Sequence, residues 1–367
     1  MINPGRMRRA SMALAGLLAI APALGAMEKV ARKAPDRNLQ NLRRDIDAVL
    51  KREVFAPAIV GIDIRDLATG EVLFERNATT NLKPASTMKL FTTAAILAAE
   101  GPHSERAAHA AAVAEVMDAE GISWRPDATT VETAARQDAF GRILGDVYLV
   151  GRGDPNLSDR LDWRGEKNPF DRLAADLRDA GITRIEGRLI GHDALFSDES
   201  VPDSWTADDL VWSYGAEVSA LSAFDNTITL RLEPGEIEGD RGRLTQGPQT
   251  AFLRLINRTT TGPEGSPQTL SLKRVLGSRE VLLEGSIPKL GRPWSGEVAA
   301  PEPALFATTL LSEALIRRGI TVDGGVLALR DALPQGLRPL ASVHGPGIVE
   351  QIRIVNKESQ NLHADGG

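Results

Sequence analysis

Residues 84–101 read Pro84-Ala85-Ser86-Thr87-Met88-Lys89-Leu90-Phe91-Thr92-Thr93-Ala94-Ala95-Ile96-Leu97-Ala98-Ala99-Glu100-Gly101. A proline opens the run and a glycine stops it, and both are helix boundary signals. Between them, Ala85 to Ala99 is apolar almost all round, which predicts a buried helix. Ser86 and Lys89 fall in its first turn. Positions three apart share a helix face, so the hydroxyl and the amine can meet. A serine is a poor nucleophile until a neighbouring base takes its proton, and a desolvated lysine can be that base. The helix N-terminus adds a positive dipole end and free backbone N–H groups where negative charge would develop. The same spacing recurs at Ser286-Ile287-Pro288-Lys289, where Pro288 works against a helical pairing. The plainer reading of Ser86, a serine at a helix start beside an exposed lysine, fits less well, because an unpaired ammonium is costly to bury on an apolar helix.

A second chemical element is Ser359-Gln360-Asn361, the only Ser-x-Asn in the sequence. A hydroxyl there could relay a proton to a leaving group, and the amide could bind a substrate carbonyl while holding Lys89. Ser and Asn are also favoured in loops and helix caps, so the tripeptide alone leaves both readings open.

Outward from these two motifs, Asn38 to Leu50 carries apolar residues at 39, 42, 46, 49 and 50, an amphipathic helical period. Ala58 to Asp66, a turn at Ala68-Thr69-Gly70, and Glu71 to Arg76 predict a β-hairpin. Between about 101 and 297 the texture changes to short β-rich segments (Gly145 to Val150, Ile185 to Ile190, Thr227 to Leu232, Glu280 to Glu284) separated by Gly-, Pro- and Asp-rich turns. One helix, Pro169 to Ala180, sits among them and stops at Gly181. Helical periodicity returns over Pro303 to Arg318, followed by a Gly-Ile-Thr-Val strand signal, and again over Ile348 to Asn356. The expected division is therefore 1–26 as a signal peptide, 27–100 and 298–367 as two parts of one α+β domain, and 101–297 as a mostly β insertion that could itself be two small domains.

Composition narrows the function classes. Of 367 residues, 42% are apolar and 25% charged, ordinary globular proportions. The formal charge of −6 offers no basic footprint for nucleic acid. Cysteine is absent, which excludes disulfides, thiol catalysis and thiolate metal sites. Five histidines, at 103, 109, 192, 344 and 363, show no metal-binding spacing, so no metal is expected. Arg6, Arg8 and Arg9 precede an apolar run from Ala10 to Ala23 and the small residues Gly25 and Ala26, the order of a secretory signal peptide. The run is shorter than the ~20 residues needed to span a bilayer. Cleavage near Ala26 would leave an exported, acidic, thiol-free protein without a transmembrane segment, as expected for a bacterial periplasm or cell envelope.

Taken together, Pro84 to Lys89 and Asn356-Lys357-Glu358-Ser359-Gln360-Asn361-Leu362 resemble the D-alanyl-D-alanine carboxypeptidase/endopeptidase family of low-molecular-mass, class C penicillin-binding proteins, serine peptidases of the Ser-x-x-Lys type. The insertion is similar too: Gly145-Asp146-Val147-Tyr148-Leu149-Val150 leading to Gly153-Asp154-Pro155-Asn156-Leu157, Gly187 to Asp193 with Phe196, and Tyr214-Gly215-Ala216 with Ala220-Leu221-Ser222. The resemblance implies an α+β catalytic domain of the penicillin-binding/β-lactamase kind, with helices on an antiparallel sheet and a large mostly β insertion. It also implies that Ser86 attacks the D-Ala-D-Ala carbonyl of a peptidoglycan stem peptide, that Lys89 is general base, that Ser359 relays a proton and that Asn361 binds substrate. Cleavage of D-Ala–diaminopimelate cross-links would be the same chemistry with another leaving group, and β-lactams would acylate Ser86. No organic or metal cofactor is implied. Asp154 is a candidate for stem-peptide recognition, outside the catalytic set, and Asp-Pro is also an ordinary turn pair.

One departure stands out: no Lys-Thr-Gly or Lys-Ser-Gly occurs anywhere. The family places that motif well downstream of Asn361, together with strands that complete the catalytic sheet. The expectation is a catalytic domain incomplete at Gly367, a hairpin with an unpaired edge, and little peptidase activity in this chain. Competing readings are a Ser-x-x-Lys β-lactamase or esterase, and a non-catalytic envelope scaffold.

Overall fold

A computed structural model of the chain describes residues 36–82, 86, 88–100, 129–196, 200–201, 205–275, 277–343, 345 and 348–358. The signal peptide read at 1–26 lies outside them. The chain divides into two compact units, 1–85 and 86–367.

In the first unit, α1 (Asp36–Leu50) leads to a two-stranded antiparallel sheet of β1 (Ile62–Arg65) and β2 (Val72–Arg76). Ile64 lies opposite Phe74, and the ladder shifts register between Ile64 and Arg65. Asp66 builds the turn: its carboxylate accepts the backbone N–H of Ala68 and Thr69 at 2.9 and 2.8 Å. Arg43 Nε donates to the Leu73 carbonyl oxygen at 2.7 Å, tying the helix to the hairpin.

The second unit opens with α2 (Met88–Glu100) and then builds around a five-stranded sheet. Its strands are β3 (Thr129–Thr133), β5 (Val147–Gly151), β7 (Leu189–His192), β15 (Val326–Leu329) and β16 (Arg338–Val343), in the order β15-β7-β5-β3-β16. β5, β7 and β15 run parallel, β3 pairs antiparallel with β5, and β16 pairs antiparallel with β3. Parallel strands are covered on their faces and so read as continuous apolar runs. The cover here includes α3 (Pro169–Asp179) and α4 (Pro303–Arg317), which contact each other. α3 starts where Asn168 accepts the N–H groups of Phe170 and Asp171 with Pro169 at the first helical position, a complete N-terminal signature. The core holds Leu149, Ile190, Leu173, Phe306 and Leu311, each almost fully buried. Gly191 is required on β7: a Cβ there would run into Thr308 Oγ1 and sit 2.7 Å from the Ala304 carbonyl oxygen, so only glycine lets α4 approach this closely.

Three smaller sheets complete the unit. β4 (Arg142–Ile143), β6 (Arg184–Ile185) and β14 (Thr321–Val322) form one. β8 (Thr227–Glu233), β9 (Arg243–Gly247) and β13 (Trp294–Ala299) form another. β10 (Arg254–Gly262), β11 (Ser271–Arg274) and β12 (Glu280–Pro288) form the third. The chain then ends its described course in α5 (Ile348–Glu358).

The α+β class read from the sequence is the observed one. Three local expectations change. The single strand expected over Ile185 to Ile190 is two, because Ile185 pairs in the β4-β6-β14 sheet whereas Leu189 pairs with Val147 and Val326, so the chain changes sheets across Glu186-Gly187-Arg188. The helix at the first motif is not buried all round: Met88, Leu90 and Phe91 are 50%, 58% and 73% exposed, and α5 is the described helix packed against it. The major sheet runs past residue 297, where the sequence texture changes, because β15 and β16 join strands of the 129–192 region. Among the described residues no helix is long and apolar enough to cross a membrane.

Candidate active site

Ser86 stands two residues ahead of α2 and is exposed, while Lys89 in the first turn is only 9% exposed. Lys89 Nζ donates to Ser86 Oγ at 3.3 Å. An accessible hydroxyl thus meets a sheltered amine, the arrangement that i,i+3 spacing at a helix start permits. The second Ser-x-x-Lys shows the contrast. Ser286 lies on β12 opposite Thr260, in extended backbone where no helical face exists.

Below Lys89, the same helix face continues into Thr93. Its hydroxyl donates to the Lys89 carbonyl oxygen at 2.8 Å, and its oxygen accepts from Asn356 Nδ2 at 3.3 Å. That bond joins α2 to the last turn of α5. The inward face of α5 is formed by Gln351, Ile354 and Val355, all buried. Ser359 and Asn361, the second motif, lie outside the described residues. Sequence reasoning passed over Thr93, although its position four residues after Lys89 was a usable signal.

The loop after β5 reaches the end of α5 through Arg160 and Glu358. Arg152 anchors its start, with Nη2 on Glu132 at 2.9 Å and Nη1 on Thr130 Oγ1 at 2.6 Å, both groups of the ion pair being under 10% exposed. Gly153 N donates to the Ala220 carbonyl oxygen at 2.8 Å, and Asp154 forms a parallel bridge with Leu221. Asp154 is buried, and its Oδ1 accepts from the Asn156 backbone and side-chain nitrogens at 3.0 and 2.6 Å. The Asp193 carboxylate accepts the Ser219 hydroxyl at 2.8 Å. The three segments of the insertion singled out in the sequence therefore converge. Among the described residues no group of three or more His, Asp or Glu is placed to hold a metal ion.

A family model described as the D-Ala-D-Ala carboxypeptidase 3 (S13) family matches residues 42–366. The chain belongs to this family. Among curated relatives, the D-alanyl-D-alanine carboxypeptidase of Actinomadura sp. (strain R39) is 34% identical over 310 residues, covering 83% of this chain and 52% of that protein. D-alanyl-D-alanine carboxypeptidase DacB of Haemophilus influenzae is 21% identical over 310 residues, 83% of this chain and 57% of that protein. The chain thus spans about half the length of the curated relatives it matches. The crystal structure of penicillin binding protein 4 (dacB) from Haemophilus influenzae matches with a TM-score of 0.62 at 20% identity, over 82% of this chain and 60% of that one. The same protein complexed with a novel β-lactam gives 0.55 at 18%, over 82% and 58%. At these identities the structures speak for a shared fold.

Proposed function

We propose that the chain carries the nucleophilic half of a serine D,D-peptidase site acting on peptidoglycan stem peptides. The observation that carries this reading is the 3.3 Å contact between the exposed Ser86 hydroxyl and the sheltered Lys89 amine, in a chain of the S13 family. Ser86 Oγ adds to the penultimate D-alanine carbonyl as its proton passes to Lys89 Nζ. The tetrahedral adduct then expels the amine of the terminal residue, which takes a proton through Ser359, and leaves an acyl ester on Ser86. Water hydrolyses that ester and restores the hydroxyl. Asn361 orients the peptide. A D-Ala–diaminopimelate bond presents the same carbonyl with another amine, so endopeptidase cleavage follows the same steps. A β-lactam presents a carbonyl whose leaving nitrogen stays tethered, so its acyl-enzyme persists.

No Lys-Thr-Gly occurs within the 367 residues. Stoichiometric acylation of Ser86 by a β-lactam is the expected behaviour of the Ser86–Lys89 pair. Residues 1–26 supply the export signal that would place the protein in the periplasm.

Intact-protein mass after mixing with benzylpenicillin tests the proposal, with Ser86→Ala beside it. One adduct per chain, absent from the variant, is the expected result. No adduct on a chain that melts cooperatively would overturn the reading in favour of an inert scaffold, and rapid loss of the adduct with turnover would point to a β-lactamase or esterase.

A further inference from the structure

The loop that follows β5 carries Arg160, whose guanidinium lies between two carboxylates from distant parts of the unit. Nη1 donates to Asp225 Oδ1 at 2.9 Å, and Nη2 pairs with the other Asp225 oxygen. Nε lies 3.1 Å from Glu358 Oε2. Glu358 ends α5 and immediately precedes Ser359.

Asp225 is an unusually fixed anchor. It is the middle residue of Phe224-Asp225-Asn226, which have φ of 49°, 56° and 54°, a left-handed turn of three non-glycine residues. Such backbone is costly and persists where its surroundings over-determine it. Here they do. Asn226 is fully buried, its Oδ1 accepting from Ala223 N at 3.0 Å and its Nδ2 donating to the Glu217 carbonyl oxygen at 2.8 Å and to Ser222 Oγ at 3.0 Å. Phe224 N donates to the Leu157 carbonyl oxygen at 2.8 Å, and its ring stacks on Phe170. The turn is thus pinned to the loop that carries Arg160 and to the helix α3 behind it.

The same loop meets the other approach to α5. A Cβ added at Gly345 would lie 2.7 Å from both Asp154 Oδ1 and Asn156 Nδ2, so the segment leading into α5 runs against the buried start of the loop. The loop from 154 to 160 therefore brackets α5, touching the chain before its first turn and at its last residue.

We propose that Arg160 is a positioning residue: it spans the rigid Asp225 turn and Glu358, and so fixes the end of α5 from which Ser359 follows. The proposal rests on the reading of Ser359 as proton relay. A relay hydroxyl must be placed within a fraction of an ångström, and a displacement of 1 Å can cost about 10²-fold in rate. The guanidinium suits this task because its planar fork holds one carboxylate bidentately through Nη1 and Nη2 while Nε–H faces the second. Lysine, a single ammonium, cannot hold both in that geometry.

The test compares Arg160→Ala, Arg160→Lys, Glu358→Gln and the Arg160→Ala/Glu358→Gln double variant in the full chain. Two readouts are needed: hydrogen exchange of residues 352–358 against residues 147–151 as reference, and the rate of benzylpenicillin acylation. Expected are about two- to fivefold faster exchange in the last turn of α5 for either single alanine or glutamine variant, scaled to a half-exposed ion pair. The reference strand should not change, and acylation should slow about tenfold. In the Arg160→Ala background Glu358→Gln should add nothing, and Arg160→Lys should recover only part of the loss. Additive effects of the two substitutions, unchanged exchange in α5, or equal acceleration in β5 would overturn the proposal. Coupled exchange in a chain that never acylates would sustain Arg160 as the anchor of α5 and refute the serine-peptidase reading instead.

Discussion

The five-stranded sheet and the α2–α5 pair meet opposite demands within the same unit. On the sheet, β3 is buried at every position and α4 presses on β7 closely enough to require Gly191. On α2, by contrast, Leu90 and Phe91 are exposed, and a described hydrogen bond to α5 joins Asn356 to Thr93. Apolar burial at about 25 cal/mol per Å² places the stability of the unit in the sheet and its helices. The helix that bears Lys89, with Ser86 just ahead of it, keeps an exposed face and is tied to α5 by the Thr93–Asn356 bond. Rigidity is supplied by one region and chemistry is presented by the other.

The strongest way to break this contrast is to weaken the sheet and watch the site. Phe306 is fully buried, its ring centroid 5.0 Å from that of Phe252. Phe306→Ala is expected to cost about 3–5 kcal/mol, read as a lower midpoint in thermal or urea unfolding. Well below that midpoint the benzylpenicillin acylation rate should stay within a factor of about two, since a 3–5 kcal/mol loss spread through the core leaves local polar contacts intact where sites are independent. Loss of acylation in parallel with stability would show that the site is an extension of the core.

The converse substitution is Thr93→Val. It keeps the shape of a residue only 4% exposed but removes the hydroxyl that joins the Lys89 carbonyl to the Asn356 amide. Asn356 is exposed, so water can replace its lost partner, and the stability change should be about 1 kcal/mol. Acylation should fall by more, about tenfold, because the bond sets where α5 meets α2. Equal small changes in both readouts would reduce Thr93 to a packing residue.

How far these regions were legible in the sequence follows the range of the interactions that make them. α1, α3 and α4 announced themselves through period, Pro169 and Pro303 at their starts, and Gly181 after α3, all local signals. Ser86 and Lys89 were legible for the same reason, since three residues of helix suffice to bring them together. The break at Glu186-Gly187-Arg188 was not, because its cause is a change of partner strands. The exposure of Phe91 was also hidden, since an all-round apolar helix says what it can bury and not what is there to bury it. Arg160 and Glu358 are separated by 198 positions and meet only through the loop, the left-handed turn and the end of α5. No spacing rule reaches that far.

The smallest effect expected is electrostatic, and it bears on the sheet alone. The Asp146 carboxylate, just ahead of β5, is held below the usual carboxylate range first by the side-chain hydrogen bonds of Arg188, and further by the Arg188 backbone N–H and its charge, against a desolvation that works the other way. Arg188 Nε and Nη2 reach Asp146 Oδ2 at 3.1 and 2.5 Å. A carboxyl group whose pKa is lowered by folding binds fewer protons in the native than in the unfolded state. Its stabilisation is therefore present above the unfolded carboxyl pKa of about 4, and it is lost as pH falls from there through the lower native value. Asp146→Asn should lower the unfolding midpoint slightly at neutral pH, and the difference should shrink as pH falls below the usual carboxylate range, so that the two pH–stability curves converge on the acid side. The acylation ratio of variant to parent, measured from pH 6 to 8, should stay flat, because the described hydrogen bonds of the Asp146 carboxylate join β5 to the segment before β7. A slope in that ratio would mean that the charge at the edge of the sheet is felt at Ser86, and the separation between the two regions would then be one of packing but not of electrostatics.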